Sequence, residues 1–134
     1  MDVPEKIIQR RILTFLKEIG IYAWHNKTTG VFDKKKGIFR RPVTSFEIKG
    51  VADILGILPD GRLLAIEVKS KAGTLSEYQR QFIRQIQANN GIAFISRSVT
   101  QTFEQLKPFL THTQKYEAII GSWMRLEASL DTDQ

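Results

Sequence analysis

Three observations predict an α/β domain built on a mixed β-sheet. Short aliphatic runs of strand length alternate with longer amphipathic segments, in the order helix, strand, basic insert, two strands, helix, strand, helix. Pro59-Asp60-Gly61 separates two of the strand-length runs and has the chemistry of a tight hairpin loop. The chain has 134 residues, 42% of them hydrophobic and 25% charged, enough for one buried core without disulfides.

Taken in order, Asp2-Val3-Pro4-Glu5 reads as a helix start, with Asp2 as N-cap and Glu5 at the capping-box position. Ile7, Ile8, Ile12, Phe15, Leu16 and Ile19 mark one face of that helix, which ends at Gly20. Ile21 to His25 is a short strand. The segment Asn26 to Gly50 is expected to form an exposed hairpin or wing, followed by a strand near Val43 to Ile48. After the central hairpin, Ser76 can cap a helix running to about Asn89, with Leu75, Tyr78, Phe82 and Ile86 facing inward. Ile92 to Ser96 reads as a buried strand, and a helix over about Thr100 to Leu110 follows. The tail from Gln114 to Leu130 has Tyr116, Ile119, Ile120 and Trp123 at helical spacing, fit either to cover its own core or to form a subunit interface.

The hairpin carries the functional signal. Pro presets the first loop position, Asp suits the second, and Gly accepts the left-handed conformation at the third. A three-residue loop closed by a glycine bulge pairs Leu58 with Arg62, Leu55 with Ala65 and Asp53 with Glu67. Side chains alternate with period two, so Asp53, Glu67 and Lys69 then share a face, and Ile54, Leu64, Ile66 and Val68 line the other. A two-residue loop would slip the register and set Asp53 opposite Val68; the glycine at the third position favours the first alignment.

Net charge is +6, and most of it is local. Between Asn26 and Lys49, Lys27, Lys34, Lys35, Lys36, Arg40, Arg41 and Lys49 face only Asp33 and Glu47. Such a segment is the electrostatic footprint of a phosphate backbone, or in isolation a solvated loop. With Lys71 it forms the candidate nucleic-acid-binding set. Absence of cysteine excludes thiolate chemistry, and two histidines make a zinc site improbable. No apolar run reaches the roughly 18 residues of a membrane helix, and the charged N-terminus lacks a signal-peptide core. A cytosolic protein with no membrane partner is expected.

Two carboxylates and a lysine on one sheet face suit metal-dependent phosphodiester hydrolysis. Magnesium prefers oxygen ligands, commonly one or two carboxylates completed by water and substrate. Lys69 could orient or deprotonate the water and screen negative charge. Each part is weak alone: Glu-x-Lys is a common triplet, Asp53 could be a strand-end residue, Gln79 a polar helix position, and Glu5 only a cap. Their combination beside a basic segment is what raises the nuclease reading.

Gly50-Val51-Ala52-Asp53, Ile66-Glu67-Val68-Lys69, Leu75-Ser76-Glu77-Tyr78-Gln79 and Gly91-Ile92-Ala93-Phe94-Ile95-Ser96 together resemble the PD-(D/E)xK nuclease superfamily. More narrowly the chain is similar to the VRR-Nuc (virus-type replication-repair nuclease) domain over roughly residues 4 to 98, including Glu5-Lys6-Ile7-Ile8-Gln9 and Trp24-His25-Asn26. The resemblance implies a restriction-endonuclease-like fold: a mixed sheet flanked by helices in a nuclease domain over 1–110, with a basic wing over 26–49 and a helical extension over 111–134. It implies Asp53 and Glu67 as metal ligands for Mg²⁺, with Mn²⁺ able to substitute. The Val68 carbonyl would complete the shell, with Lys69 as the catalytic lysine. Gln79 would hold the site from the following helix, and Glu5 would approach from the first. Ala52 departs from the motif's proline, and residues beyond about Thr111 have no counterpart. Small stand-alone members are similar to Holliday-junction resolvases, which implies a homodimer cutting branched DNA in a bacterial or phage setting. Trp123 and Phe39 are the aromatics the sequence offers for an interface. A flap, single-strand or restriction-like nuclease, an RNA-processing nuclease and a non-catalytic DNA-binding module of the same fold are the alternatives.

Overall fold

A computed structural model of the chain describes residues 2–27, 31–33, 37–40 and 46–131. Helix α1 (Glu5–Glu18) buries Ile8, Ile12, Phe15 and Leu16, positions four, seven and eight residues apart on one face. Strand β1 (Tyr22–His25) follows, then a two-stranded hairpin, β2 (Val31–Asp33) with β3 (Ile38–Arg40). The central hairpin is β4 (Ile54–Ile57) and β5 (Leu63–Val68). Helix α2 (Glu77–Ala88) crosses to β6 (Ile92–Ser96), and α3 (Val99–Leu106) and α4 (Glu117–Asp131) complete the fold.

The main sheet runs in the order β1-β4-β5-β6. Its first three strands are antiparallel, and β5 and β6 are parallel, so the sheet is mixed as expected. The fold class predicted from the sequence therefore holds at the level of an α/β domain.

The hairpin adopts the first of the two registers: Leu55 pairs with Ala65 and Ile54 with Ile66. Leu58 and Arg62 close the loop through a 2.9 Å bond, and the Gly61 N–H reaches the Leu58 carbonyl at 2.8 Å. Gly61 has φ +91°, the left-handed conformation that the bulge demands. The Asp60 carboxylate accepts from the Arg62 backbone N–H and Nε, trimming the turn from outside.

Two layers cover the sheet. On one face Ile54, Leu64, Ile66, Val68 and Phe94 pack with α1, α3 and Ile120 of α4 in the main core. Phe15 and Phe103 meet there edge-to-face, 6.0 Å between centroids and 88° apart; truncating a ring so enclosed costs about 3–5 kcal/mol. On the other face Ala65 and Ala93 admit α2 closely enough for Phe82 to seal a smaller cluster.

Several expectations are corrected. Pro4, not Asp2, is the N-cap of α1, and no side chain caps that helix, so Glu5 has no capping role to explain it. Phe46 to Ile48 form a turn and irregular chain instead of the expected strand end, and residues 43–45 lie outside the described residues. Tyr78 is exposed rather than inward, because the first turn of α2 stands beyond the edge of the alanine-floored cluster. Pro108, which lacks an N–H to donate, ends α3 early as a 3₁₀ turn over Lys107–Phe109. Trp123 packs against the main core and its indole N–H donates to Glu18 at 2.7 Å, so the tail helix covers its own domain.

Candidate active site

The carboxyl end of β5 is where the sequence-selected residues meet. Asp53 sits one position before β4, opposite the end of β5, and its Oδ2 accepts from the Val68 N–H at 2.9 Å. A backbone amide at the end of β5 therefore orients the carboxylate. Glu67, next on β5, lies within hydrogen-bonding reach of Asp53. Glu67 is 2% exposed, and its Oε2 is buried with no hydrogen-bond partner. An orphaned carboxylate oxygen in a protein interior is costly, so its presence needs a reason.

Electrostatics give the same picture. The Glu67 carboxyl is pushed up from 4.5 to about 9, chiefly by burial, then by the hydrogen bond and the negative charge of Asp53. Lys69 pulls the other way, and Glu5 adds a smaller upward push from the start of α1. Asp53, Lys69 and Glu5 thus all act on Glu67. Glu5 remains at the range of charge influence: among the described residues no group of three or more Asp, Glu, His or Cys side chains could hold a metal together. The candidate site is a carboxylate pair with a lysine, and Glu5 adds a smaller push on Glu67 from outside it.

Gln79 is accounted for by helix α2 itself. Its Oε1 accepts from the Ser76 N–H at 2.9 Å while Ser76 Oγ accepts from the Gln79 N–H at 3.2 Å, a reciprocal capping box. Ser76-Glu77-Tyr78-Gln79 carries that signature in the sequence. The helix start is nonetheless fixed beside the site. Gly50, at φ +79°, lies so close to α2 that an added Cβ would stand 2.6 Å from the Gln79 nitrogen.

Other residues hold the site in ways the sequence did not announce. The Asn26 N–H donates to the Asp53 carbonyl at 2.7 Å and its Nδ2 to the Ala52 carbonyl at 3.3 Å, pinning the segment that presents Asp53. Beyond Lys69, Arg97 Nη1 donates to the Ser70 carbonyl at 2.8 Å. Gly73 folds over the Lys69 stem, where a Cβ would meet its Cδ at 3.2 Å. Local spacing could not have revealed these links, since each joins positions far apart or depends on a loop's path.

Of the candidate phosphate-binding residues, Lys27, Lys49 and Lys71 are exposed. Lys49 stands over the Tyr78 ring, 5.1 Å from its centroid. Arg40 belongs to β3, and Lys34, Lys35, Lys36 and Arg41 lie outside the described residues.

The donor set fits a hard divalent cation. Two carboxylates converge, one oxygen is buried and unpartnered, and burial together with the neighbouring Asp53 raises the pKa of Glu67. No protein-family model matches the chain, and no curated protein matches its sequence.

Proposed function

We propose that the chain is a divalent-metal-dependent DNA endonuclease of the PD-(D/E)xK type, selective for branched structures such as four-way junctions. The buried, unpartnered Oε2 of Glu67 beside Asp53 is the observation that carries this reading. A carboxylate pair kept only for stability would leave no buried oxygen without a partner, and a DNA-binding module gains nothing from negative charge facing phosphates.

Asp53 and Glu67, with the Val68 carbonyl, would hold Mg²⁺ or Mn²⁺. When bound, the cation supplies charge neutralisation at the phosphate and acidifies a water. The chain's own residues perform the rest. The Val68 N–H and Asn26 keep the Asp53 carboxylate aimed at Glu67. Lys69 orients the attacking water, takes or relays its proton, and offsets charge as the phosphate becomes pentavalent. Exposed Lys27, Lys49 and Lys71 supply backbone contacts around it. A homodimer would place two such sites for paired incision; with Trp123 engaged by Glu18 and the core, that assembly needs a different surface.

The test is a cleavage panel of junction, flap, duplex, single-stranded DNA and matched RNA with Mg²⁺. Wild type is expected to cut branched DNA, and Asp53→Ala and Lys69→Ala to bind it while losing cleavage. Full cleavage by both variants would overturn the site assignment. No nicking of any form by wild type would leave a binding module.

A further inference from the structure

The face of the sheet that carries Glu67 is only half covered. Helix α2 closes over Ala65 and Ala93, on β5 and β6. The β1 row stays open, as does Ile57 on β4: Tyr22 pairs with Ile57, and Trp24 with Leu55, which packs on the α2 cluster. Tyr22 is 73% exposed and Trp24 41%, with their ring centroids 5.7 Å apart. Paired residues share a face, so the two rings stand in line with the Asp53–Glu67 row, the Trp24 row one pleat repeat of about 7 Å away from it. Lys17, on α1 across the free edge of β1, lines a groove along that strand, and exposed Lys27 follows at the end nearer the carboxylates.

We propose that Tyr22 and Trp24 form a stacking platform for the bases of an unpaired strand leading into the cleavage site, with Lys17 and Lys27 tracking its phosphates. The idea rests on the nuclease reading and deepens it. Bases in a duplex have no free faces, whereas those of a single strand can stack on exposed rings. Aromatic side chains flanked by cations are the composition that single strands use. A second protein chain is the less suitable occupant: a stable interface uses about 20–30 residues a side, whereas the large exposed side chains of this face are Tyr22, Trp24, Ile57 and Leu63.

The test measures binding without metal, in chelator, so that cleavage plays no part. Labelled oligothymidylate of about a dozen nucleotides and a duplex of equal length are titrated by anisotropy. Tyr22→Ala and Trp24→Ala are each expected to weaken single-strand binding about tenfold. Trp24→Phe should restore most of the loss, and duplex affinity should hold. Equal affinities for wild type and both alanine variants overturn the proposal, as does a parallel loss on duplex. A wild-type dimer that these variants dissociate, seen by sedimentation, would assign the patch to a second copy and also overturn it. Because metal is absent, the platform can fail while cleavage stands, or hold while the enzyme reading fails.

Discussion

Glu67 and Glu127 are both buried, at 2% and 9% exposure, yet their surroundings are opposites. Glu127, on α4, has each oxygen engaged: Oε2 accepts from the Val99 N–H at 2.7 Å, and Oε1 from the Thr100 N–H and hydroxyl at 3.0 and 2.6 Å. It caps α3 from another helix, with its charge at the positive end of that helix's dipole. Glu67 has a second carboxylate for a neighbour and an oxygen with nothing to accept. Burial alone therefore says little about a charged residue; what its oxygens accept separates Glu127 from Glu67.

The strongest way to break this contrast is Glu67→Gln. If the contrast holds, cleavage falls about a thousandfold or more, since transition-state electrostatics is lost, while denaturant unfolding shows no loss of metal-free stability. Glu127→Ala should do the reverse. It strands the buried Val99 N–H and costs about 2–3 kcal/mol in urea unfolding, with cleavage retained below the shifted melting temperature.

Titration sharpens the comparison further. Glu67 holds its proton up to about pH 9 when folded and only to about 4.5 when unfolded. Between those values the native state binds more protons. Its contribution to metal-free stability is thus fully present below about 4.5 and declines as pH rises towards 9. The ceiling on that slope is about 1.4 kcal/mol per pH unit, and melting curves of wild type and Glu67→Gln across the range should diverge accordingly. An unchanged slope in Glu67→Gln would remove Glu67 as its source. The smallest effect is expected at Asn26→Ala: about 1 kcal/mol of stability, with about a tenfold slower cut as Asp53 loosens. Rates equal to wild type would show that the hairpin alone aims Asp53.

Much of this was legible in the chain because it is locally encoded. The loop Pro59-Asp60-Gly61 dictated the register, and the register put Asp53 beside Glu67. Periodicity located α1, α2 and β6, since amphipathic spacing reflects a core that each element meets alone. Capping was less secure. Asp2 looked suited to begin α1, yet Pro4 does so, and the side chain of Gln79, expected to hold the site, closes the start of its own helix. The long-range anchors were invisible: nothing near Asn26, Arg97 or Glu127 in sequence specifies Asp53, Ser70 or Val99 as partners. Whether Tyr22 and Trp24 lie open depended on how far α2 reaches across the sheet, which only the packing of Phe82 on alanines decides.

The reach of Glu127 back to Val99 also sets an order of events during synthesis. As the polypeptide leaves the ribosome, the first turn of α3 has no acceptor for that enclosed amide until position 127 has emerged. Arg97, just ahead of that turn, secures Ser70 beside Lys69. A nascent chain halted before α4 would therefore carry every chemical group of the carboxylate–lysine centre and still lack the brace behind it.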